Sequence, residues 1–517
     1  MFSITSKLTR AAVGKANVAI LIPLLLLTAG GLIATASNAN RILPPFQIFA
    51  DPDGAFATMN LGGPVDTTSN PFFQDMGSNG RSCVTCHQPS DAWSVTPLHI
   101  QARFAATSGT DSIFRPVDGA TCSTADVSTV EERRRAYSLL LSRGLIRVGI
   151  AVPANADYQV IGVYNQYGCN ATDVISMYRR PLPSTNLSFL SAVMFDGRES
   201  SPATNTAKIV YNNYPTSLLS DLAHQSLDAT VGHAQGDGTR PTPEEQQQIV
   251  DFETKLFTAQ VLDRLAGDLS AGGAKGGPVA LSKQPFFISV NSSVHFLLPA
   301  FEQPGGLMTP GDGQFTSNIF DLFDQWAPSS GDDQSAARSS IARGEQLFHT
   351  LQIPISGVAG INDDVKAGGL IAGGIPTLPG TCGTCHDTPN VGNHSFPTPL
   401  NIGAGDPSLS NSSVNLGGLD VSYLPEITVC RKDSTTGQPT NDCKTTTDLG
   451  QALIDGKFDH VGKIKGPILR GLAGRAPYFH NGSAATLIDV VSFYDTRFNL
   501  HLSEKDKSDL AAFLRTL

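Results

Sequence analysis

The chain has 517 residues, too many for one ordinary hydrophobic core, so two domains or one heavily elaborated domain is expected. Charged residues make up 16% and hydrophobic residues 40%, with 50 Gly and 33 Pro, which excludes disorder throughout and points to a folded chain with long irregular connections. The formal charge of −10 comes without any long basic run, so the electrostatic case for nucleic-acid binding is absent and partners should be neutral or basic.

Residues 1–39 read as a targeting segment. Lys7, Arg10 and Lys15 precede an apolar stretch from Val18 to about Ile33, and Ala34-Thr35-Ala36 or Ser37-Asn38-Ala39 offers a small-residue cleavage site. A cleaved export signal is the expectation and an uncleaved anchor the alternative, the only case in which the chain would meet a membrane. The body should then be periplasmic or otherwise exported, in an oxidising compartment.

Four of the eight cysteines fall into two copies of one pattern, Cys83-Val84-Thr85-Cys86-His87 and Cys382-Gly383-Thr384-Cys385-His386. This is the c-type haem attachment pattern: two thiols form thioethers to the porphyrin and the adjacent imidazole becomes the proximal iron ligand. A redox-active dithiol, or a zinc site shared by the four cysteines, leaves both histidines as coincidence. Two covalently bound c-type haems are therefore expected, attached at Cys83, Cys86, Cys382 and Cys385, with His87 and His386 on the irons. His99, between Leu98 and Ile100, reads as a polar residue of a strand or loop.

Cys122, Cys169, Cys430 and Cys443 remain. The close spacing of Cys430 and Cys443 in a polar loop favours a local bridge, leaving Cys122 and Cys169 to each other, with free thiols as the alternative. Between the haem patterns, a helix is expected from Ser128 to about Arg143, its Arg133-Arg134-Arg135 run a solvated face. Thr242-Pro243-Glu244-Glu245 opens another, with Ile249, Phe252 and Leu256 on its buried stripe.

Ala336 to Thr350 is helical in pattern around Gly344, with Ile341, Leu347 and Phe348 apolar. Residues 353–380 and 401–445 show little periodicity and read as functional covers or connectors. The chain ends on a helix capped by Ser503 and Asp506, with Leu510, Phe513, Leu514 and Leu517 on one face. A closing amphipathic helix thus follows each haem segment. The expected class is mainly α, two cytochrome c-like haem domains with long irregular loops, divided into 40–335 and 336–517.

The two haem patterns, the phrase Met194-Phe195-Asp196-Gly197-Arg198, and the ending Leu469-Arg470-Gly471-Leu472-Ala473-Gly474-Arg475-Ala476-Pro477-Tyr478-Phe479-His480-Asn481-Gly482 resemble the bacterial di-haem cytochrome c peroxidase family, which includes the MauG-type enzymes. The resemblance covers both haem segments and is weak across the long loops. It implies a peroxide-reactive haem in the first domain and an electron-transfer haem in the second. The family's sixth ligand to the second haem falls fourteen residues beyond the His of Pro-Tyr-Phe-His, as Met in the peroxidases and Tyr in the MauG type; here it is Tyr494. A tyrosinate is a hard anionic donor that stabilises ferric iron. The alternative is a core tyrosine with a satisfied hydroxyl.

For the first haem, the resemblance sets a Gln and an acid, ten residues apart, over the open face; here they are Gln225 and Gln235. A glutamine orients by hydrogen bonding but cannot move a proton near neutral pH, so the acid's work would fall to His233 if its loop turns inward. Otherwise His233 is a surface residue. Phe195 replaces the Trp that commonly relays electrons, which leaves Trp93 as a candidate relay or, more simply, a packed aromatic. Arg180 stands where the family often has an Asn that helps to hold calcium. A guanidinium cannot ligate calcium and can replace its charge, so the calcium site is in doubt.

Three functions follow from these residues. The first is a peroxidase-type oxidoreductase taking hydrogen peroxide or dioxygen and electrons from a small redox donor protein. The second is a MauG-like or oxygenase-like enzyme acting on a protein side chain or organic substrate. The third is a non-enzymatic electron carrier, with His99 or another residue closing the first haem's open face.

Overall fold

Local signals set the helix boundaries. Thr242 caps Pro243–Thr254 by accepting from the Glu245 N–H, while the Glu245 carboxylate takes the Thr242 N–H at 2.8 Å. Ser503 with Asp506 does the same for Glu504–Leu514, and Thr486 with Asp489 for Leu487–Phe498. The computed structural model describes residues 41–190, 192–200, 216–284, 321–329, 331–363, 374–392, 399–406 and 419–517, so the targeting segment lies outside the described residues. Residues Ile42–Leu517 form one compact unit.

Helix Asp333–Thr350 crosses helix Glu504–Leu514 so closely that a Cβ at Gly344 would lie 1.9 Å from the Asp509 carbonyl oxygen, which is why that position is glycine. The contact buries Ile341, Phe348, Leu510, Phe513, Leu514 and Leu517 together with Phe323 and Trp326. Each such side chain contributes roughly 2 kcal/mol. The expected domain boundary near residue 335 falls at the start of the first of these helices.

The mainly α expectation needs correction. The fold is mixed α/β, with more helix than strand among the described residues and several small open sheets. Phe46–Asp51, Gly54–Asn60, Leu256–Asp263 and Gly267–Asp268 form a four-stranded sheet in that order. Ile146–Ala151 pairs with Val174–Arg179, and Ile353–Ser356 with Thr377–Gly380. Tyr158–Tyr164 pairs with Glu426–Lys432, which also pairs with Pro439–Thr446, so one sheet draws on both sides of residue 335.

Both stretches read as loops therefore contain strands; their residues 364–373 and 407–418 lie outside the described residues. Cys430 and Cys443 sit opposite each other in paired strands and form one disulfide, and Cys122 and Cys169 form the other. Three helix readings also change. The segment 128–143 is two helices, Val130–Ala136 and Ser138–Arg143, because Tyr137 is buried at the junction with its hydroxyl donating to Phe114 O at 3.1 Å. Leu256 opens a strand instead of closing a helix. His99 lies in helix Pro97–Thr107, not in a strand or loop, where Thr96 and Pro97 start the helix. Among the described residues, no helix is long and apolar enough to cross a membrane.

Candidate functional site

Both Cys-x-x-Cys-His segments fold into the same short turn. Cys83–Thr85 and Cys382–Thr384 are single 3-10 turns. Thr85 Oγ1 accepts the Ser82 N–H at 3.0 Å and Thr384 Oγ1 the Thr381 N–H at 2.9 Å, so the threonine inside each motif ties the turn to its entrance. The chain then reverses through Trp93 (φ 63°) or Val391 (φ 60°), whose carbonyl faces the histidine Nδ1 at 3.1 Å for His87 and 3.4 Å for His386.

A ring nitrogen facing a carbonyl must carry the hydrogen, so Nδ1–H donates and Nε2 keeps its lone pair. Burial lowers the pKa of each imidazole to about 4, leaving both neutral at ordinary pH and suited to bind a metal. All four thiols are free, with pKa values raised chiefly by burial.

Each turn opens onto its own cavity. The second is apolar, walled by Phe348, Ile355, Leu400, Leu472 and Val491, and helix Leu487–Phe498 brings Tyr494 into it. Tyr494 Oη stands 3.4 Å from His386 Nε2. Burial raises the pKa of that phenol. Among the described residues, no side chain hydrogen-bonds the His87 ring; its partners are the backbone of Trp93, at Nδ1, and of Leu182.

The first cavity takes Gln225 and His233 from helix Thr216–His233. His233 Nδ1 meets Asp118 at 2.5 Å, and the same buried carboxylate accepts from Arg81 Nη1 at 2.5 Å. Gln235 is not brought to the cavity lining: it follows the helix at φ 55°, exposed, with its Oε1 accepting from Asn79 Nδ2 at 3.2 Å. His99 pairs with Asp91 at 2.5 Å and lines neither cavity. Trp93 is wholly buried against Phe72 and Phe252, and its indole N–H donates to Thr58 Oγ1 at 2.9 Å.

Arg180, Phe195 and Lys465 line both cavities. Arg180 donates only to the carbonyls of Arg143, Val95 and Arg475, not to a carboxylate. Sequence reasoning missed Lys465, Arg81 and Asp118, whose partners are remote in the chain. It also missed Glu253, which had a signal: an acid beside Phe252 on the buried side of helix Pro243–Thr254.

The residues present fit a c-type haem at each turn. Two free thiols and a neutral imidazole face each cavity, and the buried cations Arg180, Arg475 and Lys465, none in an ion pair with a carboxylate among the described residues, suit the carboxylates that a haem carries. His386 and Tyr494, whose Nε2 and Oη face each other at 3.4 Å, are the side chains that would hold an iron in the second cavity.

No family model matches the chain. The cytochrome-c peroxidase IdrP2 of Denitromonas iodatirespirans is 38% identical over 98 residues, 18% of this chain and 26% of that protein. The cytochrome-c peroxidase IdrP2 of Pseudomonas sp. (strain SCT) is 38% identical over 101 residues, 18% of this chain and 27% of that protein. The chain thus spans about a quarter of the length of the curated relatives it matches. Among solved structures, it is similar to a MauG-like protein associated with microbial copper homeostasis, at 15% identity over 93% of this chain and 95% of that one, with a TM-score of 0.32. The partial sequence matches link the chain distantly to the broad di-haem peroxidase superfamily.

Proposed function

We propose that the chain is an exported di-haem c-type cytochrome acting as a peroxidase-type oxidoreductase. Cys83, Cys86 and His87 hold the reactive haem, and Cys382, Cys385, His386 and Tyr494 the electron-transfer haem. The observation that carries this reading is the inequality of two otherwise repeated pockets. A phenol oxygen stands 3.4 Å from Nε2 of His386, whereas among the described residues the His87 ring is hydrogen-bonded by backbone alone, at Trp93 and Leu182, and by no side chain. An iron held on both faces passes electrons, whereas one with a free face also binds peroxide or dioxygen, and this is the chemistry a haem supplies when bound.

The chain's own residues supply the rest. Gln225 orients the oxidant by hydrogen bonding. Asp118 fixes the His233 ring through Nδ1, which leaves Nε2 to accept and return a proton at the cavity. His233 thereby takes over the work of the acid that Gln235 lacks, and Gln235 stays at the surface. Apolar side chains such as Phe348, Ile355 and Leu472 wall the second site, and electrons arrive from a small redox donor protein.

The test is hydrogen peroxide consumption by the two-haem protein, fully oxidised and one-electron reduced, with the iron spin states recorded. Rapid reaction with a high-spin haem present is the expected result. Slow reaction in both forms with two low-spin haems would leave an electron carrier as the better account. A MauG-like action on a protein side chain or organic substrate is the second reading, favoured by Tyr494 facing His386 and by the missing acid at Gln235. Substrate oxidation at the expense of peroxide, without turnover of a donor cytochrome, would select it.

A further inference from the structure

Glu253 has no part in the function proposed above. It lies on helix Pro243–Thr254, is 5% exposed, and lines the cavity that Cys83, Cys86 and His87 share. Among the described residues its Oε2 has no hydrogen-bond partner, and Ser184 is the neighbour that bonds the carboxyl. A buried carboxylate with an idle oxygen costs free energy unless it is protonated or meets a charge.

The ionisable groups on the other walls of the cavity are Arg81, Cys83, Cys86, His87, Arg179, Arg180, Arg198, His233 and Lys465, and Glu253 adds to the burial that raises the Cys83 thiol. Arg81 is spent on Asp118, Arg179 on Asp196 and Asp448, and Arg198 on Asp196. The elements packed on this helix are helix Thr216–His233, with Asp221, His224, Asp228 and His233, and the turns Pro71–Phe73 and Leu187–Phe189, which carry no titratable group. None of these charges acts on Glu253: burial raises its pKa to about 8, opposed only by Ser184. The group therefore holds its proton near neutral pH and sits close to the point of losing it.

We propose that Glu253 is the redox-linked proton site of the first pocket: at alkaline pH, where it has lost its proton in the oxidised protein, it takes one up as the group bound at Cys83, Cys86 and His87 takes up one electron. The inference rests on the di-haem reading. The electron comes from a one-electron reductant and the proton from water. One O–H bond forms at the Glu253 carboxylate as one O–H bond of the water breaks, leaving hydroxide to the bulk solvent, and reoxidation reverses both transfers. An added electron in the same cavity disfavours a second negative charge, so the carboxylate neutralises. Glu253 is a positioning residue for charge and need not touch the oxidant.

The experiment is a spectroelectrochemical titration of the two-haem protein across the neutral to alkaline range, reading both midpoints separately in wild type, Glu253→Gln and Glu253→Asp. In wild type one midpoint should fall as pH rises, by up to about 59 mV for each tenfold drop in proton concentration. Glu253→Gln should flatten that midpoint alone, and Glu253→Asp should restore a slope. A flat wild-type midpoint overturns the proposal, as does a slope that survives in Glu253→Gln. A chain that carries one covalent haem instead of two overturns the di-haem reading itself, and mass spectrometry separates that outcome from the others.

Discussion

Arg179 offers the sharpest test of the packing around the two pockets. Its side chain is 3% exposed, and Nε and Nη2 donate to Asp448 at 2.6 and 2.8 Å while Nη1 donates to Asp196 at 2.5 Å. Arg179→Met keeps much of the volume and removes the cation. Asp196 retains Arg198 at 2.7 Å, but Asp448 is left with the Gly450 N–H at 2.7 Å and with His480 at 3.9 Å, which burial keeps neutral with a pKa of about 4, so no cation faces it. Stranding a buried charge costs about 3–5 kcal/mol. With an unfolding entropy of about 2.1 cal/mol/K per residue, a body of roughly 480 residues loses ~3–5 °C in Tm.

Thermal unfolding followed by circular dichroism measures that loss. The double variant Arg179→Met with Asp448→Asn removes the stranded charge and should recover about half of it. A Tm change under about 1 °C, or a double variant that falls by the sum of the single effects, would refute the reasoning. The acid limb gives a second check. Burial alone would raise the Asp196 pKa, but Arg198 and Arg179 hold it at about 2 against an ordinary 3.8. A depressed carboxylate stabilises above its unfolded value, so roughly 2 kcal/mol present at neutral pH is lost as pH falls from about 4 through about 2. That acid dependence should shrink in Arg179→Met.

Tyr494→Phe should alter the low-spin signal of the haem at His386, and an unchanged spectrum would remove Tyr494 as a ligand. His233→Ala should slow peroxide consumption about tenfold or more with haem loading intact, in the range of a lost acid–base group. Gln235→Ala, at the surface, should leave it unchanged; the reverse pattern in stopped-flow rates would contradict the placement of both residues. Gly344→Ala drives a Cβ into the Asp509 carbonyl and should cost about 1–3 kcal/mol in urea unfolding. A neutral result would mean that the two helices are not so close.

What was legible in the sequence was local. Thr242 with Glu245 and Ser503 with Asp506 mark helix starts because a cap and its return bond span three residues. The attachment patterns are legible for the same reason. Tertiary context decided the rest. The strands are short, their partners lie far along the chain, and a run such as Ile353–Ser356 among Gly and Pro is too brief for alternation to stand out. Gln235 shows how spacing fails: ten residues from Gln225 fixes a relative position only inside a helix, and the helix ends at His233. Asp118, which orients His233, is 115 residues away and has no local signal.

The same contacts that stabilise the body also set the partition between the pockets. Arg179 clamps Asp196, the next residue Arg180 lines both cavities, and Phe195 is fixed at its backbone by Lys465 N–H at 2.7 Å. Three distant segments thus meet at one wall, and loosening Arg179 would move the groups on either side together. Among the described residues that line both cavities, none is a tryptophan or tyrosine. On the proposed di-haem reading, an electron crossing this wall meets no easily oxidised ring among the described residues, so its rate depends on the thickness and packing of the partition. Substituting Phe195 by tryptophan should therefore speed exchange between the pockets more than any change at Trp93, which is committed to Thr58, Phe72 and Phe252 and lines neither cavity.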